Sequence, residues 1–151
     1  MKAVIQRVKS ASVTVENECI SQIENGLFIL LGVGQDDCDE DAVILAKKTA
    51  NLRIFEDGDG KMNKSVLDIL GEVLVVSQFT LLADTKKGNR PSFIKAKEPI
   101  EADRLYNLFM KELLFNGVKT VKKGEFGADM LCNINNDGPV TIILDTEIWR
   151  K

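Results

Sequence analysis

Two short segments concentrate groups that could do chemistry. The apolar run from Glu72 to Leu81 ends in Ser77-Gln78-Phe79-Thr80, which puts two hydroxyls and an amide where a buried-type strand closes. Polar groups in such a place are either hydrogen-bonded to neighbouring backbone or turned toward a ligand, and the residue types permit both. Asn136-Asp137-Gly138-Pro139 is the second segment. Pro139 removes a ladder donor just ahead of the strand expected from Val140, and Gly138 permits backbone geometry that other residues resist. The pair either presents bare carbonyl oxygens to a ligand or makes an ordinary turn, with a cis bond as one form of the first case.

Directly after the first segment, Lys86, Lys87, Arg90, Lys95 and Lys97 fall within twelve residues that also hold Gly88, Pro91 and Phe93. That composition suits gripping phosphates beside an aromatic available for stacking; the plainer reading is a solvated surface loop. The chain has no histidine, so Ser-His-Asp and Cys-His nucleophile arrangements, HExxH sites and imidazole-ligated metals are excluded together. Cys19, Cys38 and Cys132 form no CxxC pair, which points away from a disulfide framework or thiolate zinc cage and toward a reducing, cytoplasmic setting. Asp57-Gly58-Asp59-Gly60 begins like a calcium loop, but Lys61 and Asp68 occupy the fifth and twelfth ligand positions, so a turn is expected. Gly32-Val33-Gly34 begins like a dinucleotide fingerprint, yet Asp37 stands at the third glycine position and the preceding strand reads as part of a hairpin. No metal or cofactor is expected.

The elements that must position these groups follow from the wider pattern. With 151 residues, 44% hydrophobic and 28% charged, the chain has the balance of one globular domain, taken as residues 1–151, and can bury a real core without staples. Its net charge of −3 argues against coating long nucleic acid, though not against a local basic patch. The apolar run at the start is broken by Gln6 and Arg7 too early for a signal peptide, and no stretch reaches the length of a membrane span, so neither export nor membrane insertion is expected. Strands are expected over Ala3 to Val8, Ser12 to Glu16, Cys19 to Ile23 and Leu27 to Leu31, with Asn25-Gly26 as a tight hairpin turn between the last two. A helix follows, with Asp36 to Asp41 in its first turn and its end at Leu52; Ala42, Leu45, Ala46 and Thr49 face inward. A short strand at Arg53 to Phe55, a central strand at Glu72 to Leu81 and a polar segment from Leu82 to Glu98 precede a second helix, Pro99 to Asn116, stopped by Gly117. Strands at Val118 to Lys122, Met130 to Asn135 and Val140 to Thr146 complete an α+β domain, strand-rich, with two main helices covering a sheet on one side.

Taken together, Ser77-Gln78-Phe79-Thr80-Leu81 and Asn136-Asp137-Gly138-Pro139-Val140-Thr141 resemble the two signature motifs of the D-aminoacyl-tRNA deacylases, the D-tyrosyl-tRNA deacylase family. The resemblance extends to Gln6-Arg7-Val8, Gly88-Asn89-Arg90-Pro91-Ser92-Phe93 and Phe126-Gly127-Ala128-Asp129-Met130. It implies a dimeric, β-barrel-like fold whose two sites each join Ser77 to Thr80 of one chain with a cis Gly138-Pro139 of the other. It implies that those two carbonyl oxygens hold the substrate's α-amino group, so that an L side chain collides while a D side chain points outward. Glycine, with no side chain to exclude, would pass. Rejection by a backbone clash is physically sound, since it does not depend on the small energies of apolar recognition.

The expected reaction is hydrolysis of the ester joining a D-amino acid to the terminal adenosine of tRNA. The resemblance assigns the carbonyl site to the Gln78 side chain and the Phe79 and Thr80 amides beside Ser77, the pocket border to Phe93 and Met130, and support of the Gly138-Pro139 turn to Arg7. Lys86, Lys87 and Arg90 are the expected tRNA contacts. Nucleophilic use of the Thr80 hydroxyl requires a base that the motif does not supply, so positioning, with the adenosine 2′-hydroxyl helping to activate water, is preferred. The missing base also keeps open a dimeric module that binds the acceptor end without chemistry; an esterase of small acyl esters is a third reading.

Overall fold

The computed structural model describes residues 1–150. Alternation of apolar and polar residues carries the first strand, β1 (Lys2–Val15), straight through the break expected between Val8 and Ser12. The polar residues there are absorbed by a bulge, because Val8 and Ser10 face the successive residues Asn136 and Asn135, leaving Lys9 extra. Glu16 and Asn17, at φ 49° and 64°, then reverse the chain as a two-residue turn. The return leg is β2 (Glu18–Ile23) followed by β3 (Gly26–Gly32). Both lie antiparallel to β1, β3 along its first half and β2 along its second. Asn25-Gly26 is therefore a bend between strands that share a partner, not a hairpin turn. Glycine is needed there for approach: a Cβ on Gly26 would fall 1.8 Å from the Glu72 carbonyl oxygen.

From β3 the chain enters α1 (Asp39–Ala50), which begins later than its acidic run and ends two residues short of Leu52. Cys38 caps it, with the Asp41 carboxylate accepting the Cys38 N–H at 2.9 Å, and Ala42, Leu45, Ala46 and Thr49 are buried as expected. The next strands, β4 (Phe55–Glu56) and β5 (Met62–Lys64), pair around Asp57-Gly58-Asp59-Gly60. The Asp57 carboxylate is taken by its own loop, accepting from the N–H groups of Asp59 and Lys61 and the Asn63 amide. β6 (Glu72–Ser77) runs parallel to β3. Thus β3, α1 and β6 form a parallel crossover, and the premise that β3 belongs to a hairpin is corrected. The dinucleotide reading fails for another reason: Asp37 turns its carboxylate onto the Gly34 N–H, the donor a phosphate would need.

The strand stops at Ser77 rather than Leu81. The Gln78 N–H donates to the Leu31 carbonyl at 2.8 Å, after which a 3₁₀ turn, Phe79–Leu82, folds Leu82 against Gly32. Helix α2 (Pro99–Phe115) is capped by the Glu98 carboxylate, which accepts from the Ile100 and Glu101 N–H groups, and buries Ala102, Leu105, Tyr106, Phe109, Met110 and Leu113. The Val118 N–H is consumed closing that helix onto the Leu113 carbonyl, so β7 (Thr120–Lys123) starts two residues later than expected, parallel to β6. The last strand, β8 (Leu131–Asp145), is continuous where two strands are expected. It runs antiparallel along nearly all of β1; Gln6 faces Thr141 and Val8 faces Asn136, so Asp137 to Val140 bulge opposite Arg7 alone. Pro139 sits inside this bulge, where its missing N–H interrupts nothing.

β2 and β7 approach each other through Ser21 Oγ on the Lys123 carbonyl (2.5 Å) and Lys122 Nζ on the Gln22 carbonyl (2.6 Å), which curls the sheet into a nearly closed barrel. Leu27, Ile29, Leu31, Val73 and Val75 meet the two helices, while Phe28, Leu74 and Val76 fill the other side with Val8, Val13 and Ile23. The α+β architecture is the one the sequence pattern implies. At the base, the buried Met1 ammonium, Asp37 and Asp41 form an ion cluster with the exposed Arg150. Burial pushes Asp41 up, but hydrogen bonds from Cys38, Thr146 and Arg150 outweigh it and hold the carboxyl at about 2.

Candidate active site

The turn after β6 leaves Phe79 and Thr80 exposed. The Gln78 side-chain amide donates to the Thr80 hydroxyl, and no carboxylate or lysine touches that hydroxyl among the described residues. The N–H groups of Phe79 and Thr80 open the 3₁₀ turn, so they have no acceptor within it. Phe93 stacks edge-on against Phe79 with ring centres 5.0 Å apart. Met130 packs beside Val76, its thioether accepting the Glu125 N–H at 3.4 Å in space kept open by Gly124.

Sequence pattern could not separate the five cations of the following loop, but the structure does. Lys95 pairs with Asp84 at 3.3 Å, and Lys97 donates to the Gln35 carbonyl at 2.7 Å. The Lys86 N–H and then the Lys95 ammonium keep the Asp84 carboxyl below its ordinary range. Lys86, Lys87 and Arg90 are exposed and have no side-chain partner among the described residues.

Gly138 and Pro139 are joined by a cis bond, with Gly138 at φ 134°. Both are exposed, yet the backbone on either side is pinned. Arg7, buried at 6% exposure, donates from Nε to the Asp137 carbonyl (3.0 Å) and from Nη1 to the Ile54 carbonyl (2.8 Å), with the Asp137 carboxylate 3.6 Å away. Asn136 clamps the other flank: its Oδ1 accepts the Val140 N–H at 2.8 Å, and its amide donates to Thr141 Oγ1 at 3.1 Å. The clamping part of Asn136 and the anchoring Ile54 carbonyl were missed in the sequence. Only an Asx residue four positions before an extended Val140 hinted at the first.

The structure brings Phe93 to the Ser77 to Thr80 segment through Phe79, packs Met130 beside Val76, the residue before Ser77, and separately gathers Arg7, Gly138 and Pro139, but does not bring the Ser77 and Gly138 groups to each other. Arg7 is level with Leu27 and Gln78 with Leu31. Four strand residues separate them along β3, about 13 Å, and β1 and β3 lie between β8 and β6. Apart from Arg7, neither group contains a titratable side chain. Together they offer N–H donors, an amide, a hydroxyl and fixed carbonyls, which suits holding an amine and stabilising an oxyanion rather than shuttling protons. Among the described residues no three His, Cys, Asp or Glu side chains gather as a metal site, and no helix is long and apolar enough to cross a membrane.

Residues 4–145 match the family model described as D-Tyr-tRNA(Tyr) deacylase. A D-aminoacyl-tRNA deacylase of Dehalococcoides mccartyi is 57% identical over 146 residues, covering 97% of this chain and 95% of the relative. One of Bacteroides fragilis is 54% identical over 147 residues, covering 97% and 98%. Among solved structures, the c-Myc DNA Unwinding Element Binding Protein superposes with a TM-score of 0.90 at 46% identity, covering 96% of this chain and 98% of that one. A probable eukaryotic D-amino acid tRNA deacylase shares the fold at a TM-score of 0.80 and 16% identity, covering 95% and 97%.

Proposed function

The chain belongs to the D-Tyr-tRNA(Tyr) deacylase family, and on that premise we propose how its two residue groups divide the work of a D-aminoacyl-tRNA deacylase. The enzyme is a hydrolase: water adds to the ester carbonyl, and the ribose oxygen of the terminal adenosine leaves with a proton. The Phe79 and Thr80 amides and the Gln78 side chain, next to Ser77, receive the carbonyl and its oxyanion. The Gly138-Pro139 bulge of a second copy holds the α-amino group on its carbonyl oxygens and excludes an L side chain by collision. A glycyl ester passes the same filter. Phe93 and Met130 border the pocket, Lys86, Lys87 and Arg90 hold the acceptor end of the tRNA, and the setting is the cytoplasm.

One observation carries the filter: backbone pinned on both flanks by Arg7 and Asn136, yet exposed at Gly138 and Pro139. A fixed main chain rejects by shape, which side chains free to move do poorly. The homodimer is supported by the separation of the two groups within one chain and by β8, whose outer edge has no partner among the described residues. Thr80 is a positioning group in this reading, since its hydroxyl partner is an amide and not a base. Thr80→Ala should keep kcat within roughly tenfold, the scale of one lost hydrogen bond. A fall of several orders of magnitude, with an acyl-enzyme trapped in the wild type, would make Thr80 the nucleophile instead.

A further inference from the structure

A large cavity of the molecule lies outside the site described above. It is an open groove of about 900 Å³ between α2, β2 and β7. Ile20, Met110, Leu114 and Val121 give it apolar walls, and among the described residues Lys111, Lys122 and Lys123 are the charged ones lining it. In a chain with 23 acidic and 20 basic residues, a groove with lysines and no carboxylate among its described lining is complementary to an anion. Lys122 already donates to the Gln22 carbonyl. Lys111 and Lys123 are exposed and have no side-chain partner among the described residues, so the α2 wall and the β7 wall each keep an ammonium available.

Position narrows the kind of anion. β7 runs parallel to β6, with Lys123 level with Val75, two residues before Ser77. Gly124 also lines the groove, and its missing side chain leaves room for Met130 beside Val76. The groove is therefore adjacent to Met130, which the deacylase reading places at the border of the pocket. The Lys86 to Arg90 loop leaves from the other side of β6, hydrogen-bonded to the β3 side through Lys97 and Val33. The two basic features flank the end of β6.

We propose that this groove is a second RNA contact, in which Lys111 and Lys123 take phosphodiester groups of the tRNA whose ester end is seated at Ser77 to Thr80, with sugar or base faces against Ile20 and Leu114. The inference rests on the deacylase reading for the identity of the RNA, and on the groove for the contact. Each ammonium that neutralises a phosphate releases counterions, so its removal flattens the salt dependence of binding as well as weakening it.

The test is the double variant Lys111→Gln/Lys123→Gln, in which neither residue has a partner to lose. Binding of uncharged tRNA is measured by fluorescence anisotropy across a salt series, alongside turnover of full-length D-tyrosyl-tRNA and of the D-tyrosyl ester of adenosine. The proposal expects Kd for tRNA to rise roughly fivefold or more and the slope of log Kd against log salt to fall by about 1.5. KM for D-tyrosyl-tRNA should rise with it while kcat and turnover of the short ester hold. Unchanged Kd and slope would overturn the groove contact, as would loss of the short-ester reaction in parallel with the long. Failure of the wild type to hydrolyse either ester would overturn the deacylase reading separately, because the anisotropy arm scores the groove without any turnover.

Discussion

Arg7 directs its guanidinium at two carbonyl oxygens of distant segments, Asp137 and Ile54, from a position at 6% exposure. Only a planar fork reaches both; an ammonium is a point donor. Arg7→Lys should therefore cost about 2 kcal/mol of stability, seen in urea unfolding, and lower the ratio of D- to L-tyrosyl-tRNA turnover by roughly tenfold or more as the bulge loosens. An unchanged ratio would mean the bulge holds its shape without Arg7. A second residue works against the fold: the Thr49 hydroxyl is buried without a partner among the described residues, and Thr49→Val, of nearly the same shape, should raise stability by about 1 kcal/mol in thermal unfolding. At this scale residue type singled out Ser77 to Thr80 and Gly138-Pro139 but left their ordinary readings open, and the resemblance of the two motifs made them the candidate site. The division of the cations was not legible, since whether Lys95 and Lys97 are occupied depends on Asp84 and on Gln35, a residue brought close only by the fold.

Elements were legible where periodicity is strong and misjudged where a dipeptide was asked to decide topology. The two helices and the run into Ser77 follow from apolar spacing. Asn25-Gly26 has the composition of a hairpin turn, but the reversal occurs at Glu16-Asn17, and Gly26 answers instead to the Glu72 backbone. Gly26→Ala would have to force β3 and β6 apart and should cost about 3 kcal/mol or more, measured by denaturant unfolding; a loss under about 0.5 kcal/mol would contradict that packing. The ion cluster beside α1 makes a pH prediction. Asp41 is held at about 2 against an ordinary 3.8, so its stabilisation, about 2 kcal/mol, is complete above pH 4 and is lost as pH falls toward 2. Acid unfolding of Asp41→Asn should lack that contribution, and its stability should change less than the wild type's between pH 4 and pH 2.

The whole molecule is where the sequence said least. No exposed apolar stripe in the sequence marked an interface, and the second copy proposed above is supported within one chain by β1 and β3 separating the Gly138-Pro139 bulge from Ser77 to Thr80. Sedimentation equilibrium should give twice the mass of one chain under conditions where the enzyme is active; a monomer with full activity would contradict the two-chain site. The account turns on chirality read by fixed backbone, and the measurement that bears on it most directly compares deacylation of matched D-tyrosyl-tRNA and L-tyrosyl-tRNA by catalytic amounts of the protein, with and without EDTA. It predicts fast release from the D form alone, unaffected by the chelator. Equal release from both would contradict the filter, and no release from either would contradict the activity.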